Sequence, residues 1–293
     1  MIGVDWGTTS FRAFRIEPSG RVRDRRAGPR GIMAVQDGRF ADTLREEIGP
    51  WLAAGEGRVL LCGMVGSRQG WYEAPYLHCP AGAAELAAAL VDVPFDWAEV
   101  KLVPGVVGLD DQGVSEVMRG EETQLLGASD VIGAEGLACL PGTHSKWARI
   151  KSGRIVFFAT HMTGEVFAAL RGATILGRTM RDGPPSEDGF DQGLKRSAEP
   201  GGLLHHLFGV RALTLRGQLG EAAAASYLSG LLIGHEVRAA LPQGEPLVHI
   251  IGAPDLAGLY ARAIAACGGQ PVIYDGEAAA AGLALIGEHA RWH

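Results

Sequence analysis

The sequence predicts an α/β protein made of two duplicated halves that face a common cleft. Short apolar segments of strand length alternate with segments whose apolar residues recur at helical spacing. A strand–turn–strand pattern at the N-terminus then restarts near the middle of the chain, over residues 137–159. The restart divides the 293 residues into an N-terminal domain, 1–135, and a C-terminal domain, 136–293, each of ordinary domain size.

Residues 2–5 read as a buried strand ending at the turn Trp6-Gly7-Thr8-Thr9, and 10–16 as a second strand. Pro18-Ser19-Gly20 turns the chain toward a third strand from Arg21. Phe40, Leu44, Ile48 and Trp51 recur at helical spacing. Residues 59–62 form a buried strand, 83–91 an Ala/Leu helix, 101–103 a strand and 121–126 a helix. In the second half 137–140 is a strand, and 147–150 pairs with 155–159 around Lys151-Ser152-Gly153. Residues 165–170 are helical, 182–187 with Pro184-Pro185 a surface loop, and 221–241 a long Ala-rich helix. A strand at 247–251, a helix at 256–267, a strand at 272–274 and a helix at 277–286 complete the chain.

Composition narrows the function classes. With 47% hydrophobic residues the chain can bury a large core. A net charge of -6 is poor for nucleic-acid binding, which needs clustered Lys and Arg. The basic run 21–30 contains Asp24, Gly28 and Pro29 and reads as a solvated loop face. Cys62, Cys79, Cys139 and Cys267 form no CxxC pair and are expected as free thiols. No apolar run reaches about 18 residues and no secretory start precedes Ile2, so a cytoplasmic, membrane-free protein is expected. A homo-oligomer remains open. His205-His206 has no second ligand cluster and reads as an exposed pair. No HExxH or Walker GxxxxGK[ST] string is present.

The chemistry concentrates in a few segments. Asp5-x-Gly7-Thr8-Thr9 sets a carboxylate at a strand end before a tight turn. The turn amides and Thr hydroxyls can cradle an anion, with Asp5 holding Mg2+ through water and Arg12 adding positive charge. An ordinary Gly-Thr turn with a solvated Asp explains the string equally well. Gly142, Thr143, Ser145 and Ala148 repeat Gly7, Thr8, Ser10 and Ala13, so His144, Ser145 and Lys146 belong to a second turn of the same kind. Two such turns suit a nucleotide triphosphate gripped from both sides. Gly252-Ala253 lies between a strand and a helix and leaves room for adenosine. The segment 63–71 offers Ser67, Arg68, Gln69 and Trp71, a set suited to a polyol bearing a carboxylate. Thr163 and Glu165 form a similar polar helix start, where Thr163 alternatively caps the helix. Glu121 and Glu122 either complement a helix dipole or supply a general base. Adjacent helical residues point about 100° apart, so one faces the cleft. Glu122, one residue deeper, is the expected base and Glu121 the alternative.

These segments resemble the actin-like ATPase superfamily and, within it, the 2-dehydro-3-deoxygalactonokinase family. The resemblance is carried by DWGTTSFRAF at 5–14, GMVGSRQGW at 63–71, MRGEETQLLG at 118–127, LPGTHSKWARI at 140–150 and MTGEVFAALR at 162–171. Beyond Leu176 the match is one of general pattern, and His161 stands where the family is expected to carry Phe. The resemblance implies two duplicated RNase H-like domains with an interdomain cleft. It also implies ATP and Mg2+ as cofactors, and phosphoryl transfer to the 6-hydroxyl of 2-dehydro-3-deoxy-D-galactonate or a close sugar acid. An exopolyphosphatase-like phosphohydrolase and a non-catalytic sugar-acid sensor are the rival readings.

Overall fold

Ile2–Trp6 (β1) is buried along its whole length, which is why it carries apolar residues without alternation. It pairs antiparallel with Phe11–Ile16 (β2), in a register that sets Asp5 opposite Arg12. The computed structural model describes residues 1–110, 112–244 and 246–293. It divides into two compact units, one of Met1–Gly136, Ala148–Phe158 and Asp275–His293, the other of Leu137–Trp147 and Ala159–Tyr274.

In the first unit β2 continues antiparallel into Val22–Gly28 (β3). The basic run expected as a loop face is thus an edge strand, paired through its backbone while most of its side chains stay in water. Charged side chains on an edge also discourage further pairing. Phe40–Ala53 (α1) buries Phe40, Leu44, Ile48 and Trp51 along one face. Arg58–Cys62 (β4) then lies parallel to β1, with Cys62 beside Asp5. Tyr76–His78 (β5), Ala83–Ala88 (α2), Val91–Val93 (β6), Glu99–Leu102 (β7), Gly105–Leu109 (β8) and Ser115–Met118 (β9) follow. The helix expected over 83–91 ends at Ala88, because Val91–Val93 pairs with β7. Glu121–Gly127 (α3) and Ser129–Ile132 (α4) complete the segment. The main sheet runs β3-β2-β1-β4-β7-β6, and β5-β8-β9 form a small separate sheet.

Glu135–Leu140 (β10), Ser145–Lys151 (β11) and Arg154–His161 (β12) repeat the opening pattern. They are followed by Thr163–Ala173 (α5), Glu187–Arg196 (α6), Gly202–Leu215 (α7), Ala224–Ala240 (α8), Leu247–Ile250 (β13), Pro254–Ala266 (α9), Gln270–Ile273 (β14) and Ala278–His289 (α10). The second sheet runs β12-β11-β10-β13-β14. Substituting β1 for β10, β2 for β11, β3 for β12, β4 for β13 and β7 for β14 reproduces the first sheet's order. The duplication read from seven residues is therefore present in the strand topology.

Among the described residues three helices lie outside the predicted segments: the single turn α4, and α6 and α7. In α6, Gly189 and Gly193 weaken the helical signal, yet the helix is capped by Ser186, whose Oγ accepts from Gly189 N at 3.1 Å. A Cβ at Gly193 would lie 2.0 Å from Tyr227 O on α8, so the crossing requires the glycine. Helix α7 is apolar on several sides and leaves Leu204 and Phe208 exposed, so no single stripe marks it. It also corrects the expected exposed pair: His206 is fully buried, with Nδ1 3.0 Å from His235 Nε2 and Nε2 3.1 Å from Pro200 O. All four cysteines are free. Among the described residues no helix is long and apolar enough to cross a membrane.

Candidate active site

Asp5 stands near the end of β1 with only 6% of its surface exposed. Burial raises its pKa, the ion pair with Arg12 works against that rise, and the charge of Glu121 adds to it. The following turn is closed by Gly7 N donating to Ser10 O at 2.9 Å, and Thr8 and Thr9 are exposed. Ile32 N donates to Gly7 O at 3.0 Å and Met33 N to Thr8 O at 3.1 Å, so the turn's carbonyls are held from behind. Gly31 lies in that backing. A Cβ there would sit 2.4 Å from Thr8 O and from the Thr9 backbone.

Helix α3 reaches Asp5 through two glycines. Gly63 has φ +91, and a Cβ on it would lie 2.8 Å from Trp6 O and 3.1 Å from Asp5 Oδ1. Gly120 has φ +105, and its Cβ would lie 3.1 Å from Gly63 Cα. Both conformations favour glycine, and the stacking of bare backbone brings the α3 N-terminus up to the carboxylate. The helix is fixed from its other side by α10, where a Cβ at Gly282 would lie 1.8 Å from Thr123 O. This is the close packing that the small-residue segment 276–282 permits.

The two glutamates have different surroundings. Glu122 is fully buried; its Oε2 accepts from Gly120 N at 2.7 Å and its Oε1 from Thr123 Oγ1 at 3.0 Å. Burial, with help from the Glu121 charge, pushes its pKa up to about 8. The depth that favoured Glu122 as the base removes it from any substrate. Glu121 is half-buried, with Oε2 accepting from Arg119 N at 3.1 Å, and its charge is felt at Asp5. Because the folded state holds the Glu122 proton more tightly than the unfolded chain, stability falls as pH rises from about 4.5 to about 8. In E122Q that fall should be missing, so the variant gains melting temperature over the parent as pH approaches 8. Parallel melting curves with pH would refute this.

The substrate-binding candidates of the first unit separate. Arg68 is 86% exposed on its side chain and pairs with Glu73 at 3.4 Å. Ser67 Oγ donates to Met64 O at 2.7 Å, and Gln69 is exposed. Trp71 packs into the core, stacked on Phe40 at 6.4 Å and edge-on to Phe95 at 6.1 Å.

In the second unit the turn after β10 exposes Thr143 and His144, with Gly142 half-buried. Ser145 is fully buried and turned inward, donating to Glu236 Oε1 at 2.6 Å. Trp147 Nε1 donates to the same oxygen at 2.9 Å, and Tyr260 OH to Glu236 Oε2 at 2.6 Å. Burial and the Glu236 charge drive the Tyr260 pKa far up, keeping it a donor. Ser145 therefore fastens the turn, and a ligand is left with Thr143 and the backbone. Lys146 is also buried, with Nζ donating to His144 O at 3.0 Å. His144 pairs with Glu165, whose N donates to Thr143 O at 2.9 Å. Thr163 is the first residue of α5 rather than its cap, which is Met162. A Cβ on Gly164 would lie 2.5 Å from Gly142 O. Gly252 adjoins the same turn, its absent Cβ 3.4 Å from Pro141 Cδ, and Ala253 caps α9.

Gly31, Arg119, Glu236 and Tyr260 escaped sequence reasoning. A single carboxylate in the apolar run 227–240 was the one available signal, for Glu236. Gly31 and Gly164 back the two turns alike. Gly31→Ala and Gly164→Ala should each cost about 1–3 kcal/mol, the scale of overpacking. Calorimetric titration should show weaker nucleotide binding in both. Parental affinity and melting temperature would rule out the backing role.

A family model described as 2-keto-3-deoxy-galactonokinase matches residues 5–286. A Rhizobium meliloti protein, named a probable 2-dehydro-3-deoxygalactonokinase, is 37% identical over 268 residues, covering 89% of this chain and 87% of that protein. The Escherichia coli 2-dehydro-3-deoxygalactonokinase is 36% identical over 237 residues, covering 80% and 78%. A crystal structure from Sinorhizobium meliloti, of a protein named for the same activity, superposes with a TM-score of 0.87 at 34% identity, covering 98% and 97%. The activator of 2-hydroxyisocaproyl-CoA dehydratase from Clostridium difficile, with bound ADPNP, shares the fold at a TM-score of 0.52 and 12% identity, covering 99% of this chain and 95% of that one.

Proposed function

The chain belongs to the 2-keto-3-deoxy-galactonokinase family, and from that premise we propose that it transfers the γ-phosphoryl of ATP to the 6-hydroxyl of 2-dehydro-3-deoxy-D-galactonate. It is an ATP-dependent phosphotransferase with an alcohol acceptor, of the actin-like ATPase fold. The observation that carries the residue-level reading is the pair of glycine-backed turns, 7–10 and 142–145, at equivalent places in two equivalent sheets. In this reading residues 1–135 bring the first phosphate turn and the sugar-acid residues, and 136–293 the second turn and the adenosine residues Gly252 and Ala253. The enzyme of this reading is cytoplasmic.

Asp5 fits a hydrated Mg2+ better than an all-protein metal cage. It is a single buried carboxylate, and among the described residues no group of three or more His, Cys, Asp or Glu could hold a metal. Mg2+ commonly takes one or two carboxylates and completes its shell with water and phosphate. When bound it neutralises phosphate charge. Thr8, Thr9, Arg12 and Thr143 orient the phosphates, while Lys146 stiffens the second turn from within. Glu121 accepts the proton of the attacking hydroxyl as the O–P bond forms and ADP departs. Glu122 fixes the α3 N-terminus beneath it.

A coupled assay of ADP release over an acceptor panel tests the proposal. Epimeric 2-dehydro-3-deoxy sugar acids, neutral hexoses, water and polyphosphate are the acceptors. ADP release should depend on a sugar acid, with the galacto epimer giving the highest kcat/KM. Equal release with water alone would favour the phosphohydrolase reading.

A further inference from the structure

Arg119 lies between β9 and Gly120, two residues before Glu121, and is only 8% exposed. Its Nη2 donates to Ala74 O at 2.7 Å, and its guanidinium lies over the Tyr76 ring at 4.5 Å. Nε and Nη1 are buried and have no hydrogen-bond acceptor. These nitrogens carry three N–H bonds, so a permanent cation is desolvated with more than half of its donors unanswered. A buried charge in that condition calls for an anion. No other side chain described in this region is left so incompletely satisfied. Arg68, by contrast, is exposed and already paired.

The wall over Arg119 is a compact, self-bonded turn. The backbone N–H groups of Gly66, Ser67, Gly70, Trp71, Tyr72 and Ala74 all donate to carbonyls within 63–67. Nη1 faces Gly66, where a Cβ would come within 3.0 Å of it. The segment puts bare backbone against the guanidinium, while Val65, Trp71 and Ala74 anchor it in the core. We propose that Arg119 receives the carboxylate of the sugar acid through its unpartnered Nε and Nη1, against the bare backbone at Gly66. The inference rests on the sugar-acid reading above. It adds that acid specificity is set two residues from Glu121, so the group that holds the carboxylate and the group that takes the proton share one chain segment.

Four proteins test this: the parent, R119Q, R119K and R68A. Acceptors are 2-dehydro-3-deoxy-D-galactonate and its carboxamide. Calorimetry follows 2-oxobutanoate, an α-keto carboxylate with no hydroxyl to phosphorylate. The parent should favour acid over amide by about 10- to 100-fold in kcat/KM, the scale of hydrogen bonds to a charge. R119Q should erase that preference and leave the KM for ATP unchanged, R119K should keep part of it, and R68A all of it. A folded R119Q that prefers the acid as the parent does overturns the proposal, as does an R68A that loses the preference. If R119Q does not fold, an unchanged KM for the acid in R119K is the overturning result. If the parent phosphorylates neither acceptor, the kinase reading falls and calorimetry decides. Binding of 2-oxobutanoate by the parent and its loss in R119Q or R119K then support Arg119, and absence of binding by the parent overturns it.

Discussion

Asp5→Asn lowers kcat by at least about 10²–10³-fold, the cost of removing a preorganised electrostatic group from a reacting phosphate. The fold survives the exchange for two reasons. Arg12 is half exposed and rehydrates when its partner is lost, and burial already disfavours the Asp5 charge. The melting temperature should therefore stay at or above that of the parent while turnover collapses. Replacing Mg2+ with other divalent ions should rescue the parent and the variant to different extents. Parental kcat with parental Mg2+ dependence would remove Asp5 from the site.

The second large effect is expected at Glu121. Glu121→Gln lowers kcat by about 10²–10⁴-fold, the range for loss of a general base, while the dissociation constants for ATP and sugar acid stay near the parent's. Glu122→Gln lowers kcat by less than about tenfold: its oxygens bind Gly120 N and Thr123 Oγ1, and a neutral amide can keep both contacts. The contrast is the informative part. A slow E122Q beside a fast E121Q would restore the deeper residue as the base and mean that α3 rotates in the working enzyme.

Much of this was legible in the chain because it depends on local chemistry. The strand–turn–strand starts at Gly7 and Gly142 announce themselves by apolar runs that break at Gly-Thr, and the duplicated sheet order follows from them. The acidic start of α3 was legible for the same reason. What escaped is set by packing between distant segments. Gly31 looks like any loop glycine until Thr8 and Thr9 lie against it. Arg119 looks like a solvated strand-end arginine until the segment 64–74 covers it. The roles of Ser145 and Lys146 changed because a phosphate-turn string does not say which side chains face inward; Glu236, 91 residues away, decides that for Ser145. The proposal puts Glu121 ahead of Glu122 because Glu122 is fully buried, a depth that a one-residue offset along a helix does not reveal.

The central claim is the identity of the bond made. Incubation of the protein with ATP, Mg2+ and 2-dehydro-3-deoxy-D-galactonate, followed by phosphorus–proton correlation NMR of the product, reads it directly. One phosphomonoester coupled to the two protons on carbon 6, formed mole for mole with ADP, is the predicted result. Inorganic phosphate in place of that ester, or an ester on another carbon, would contradict it.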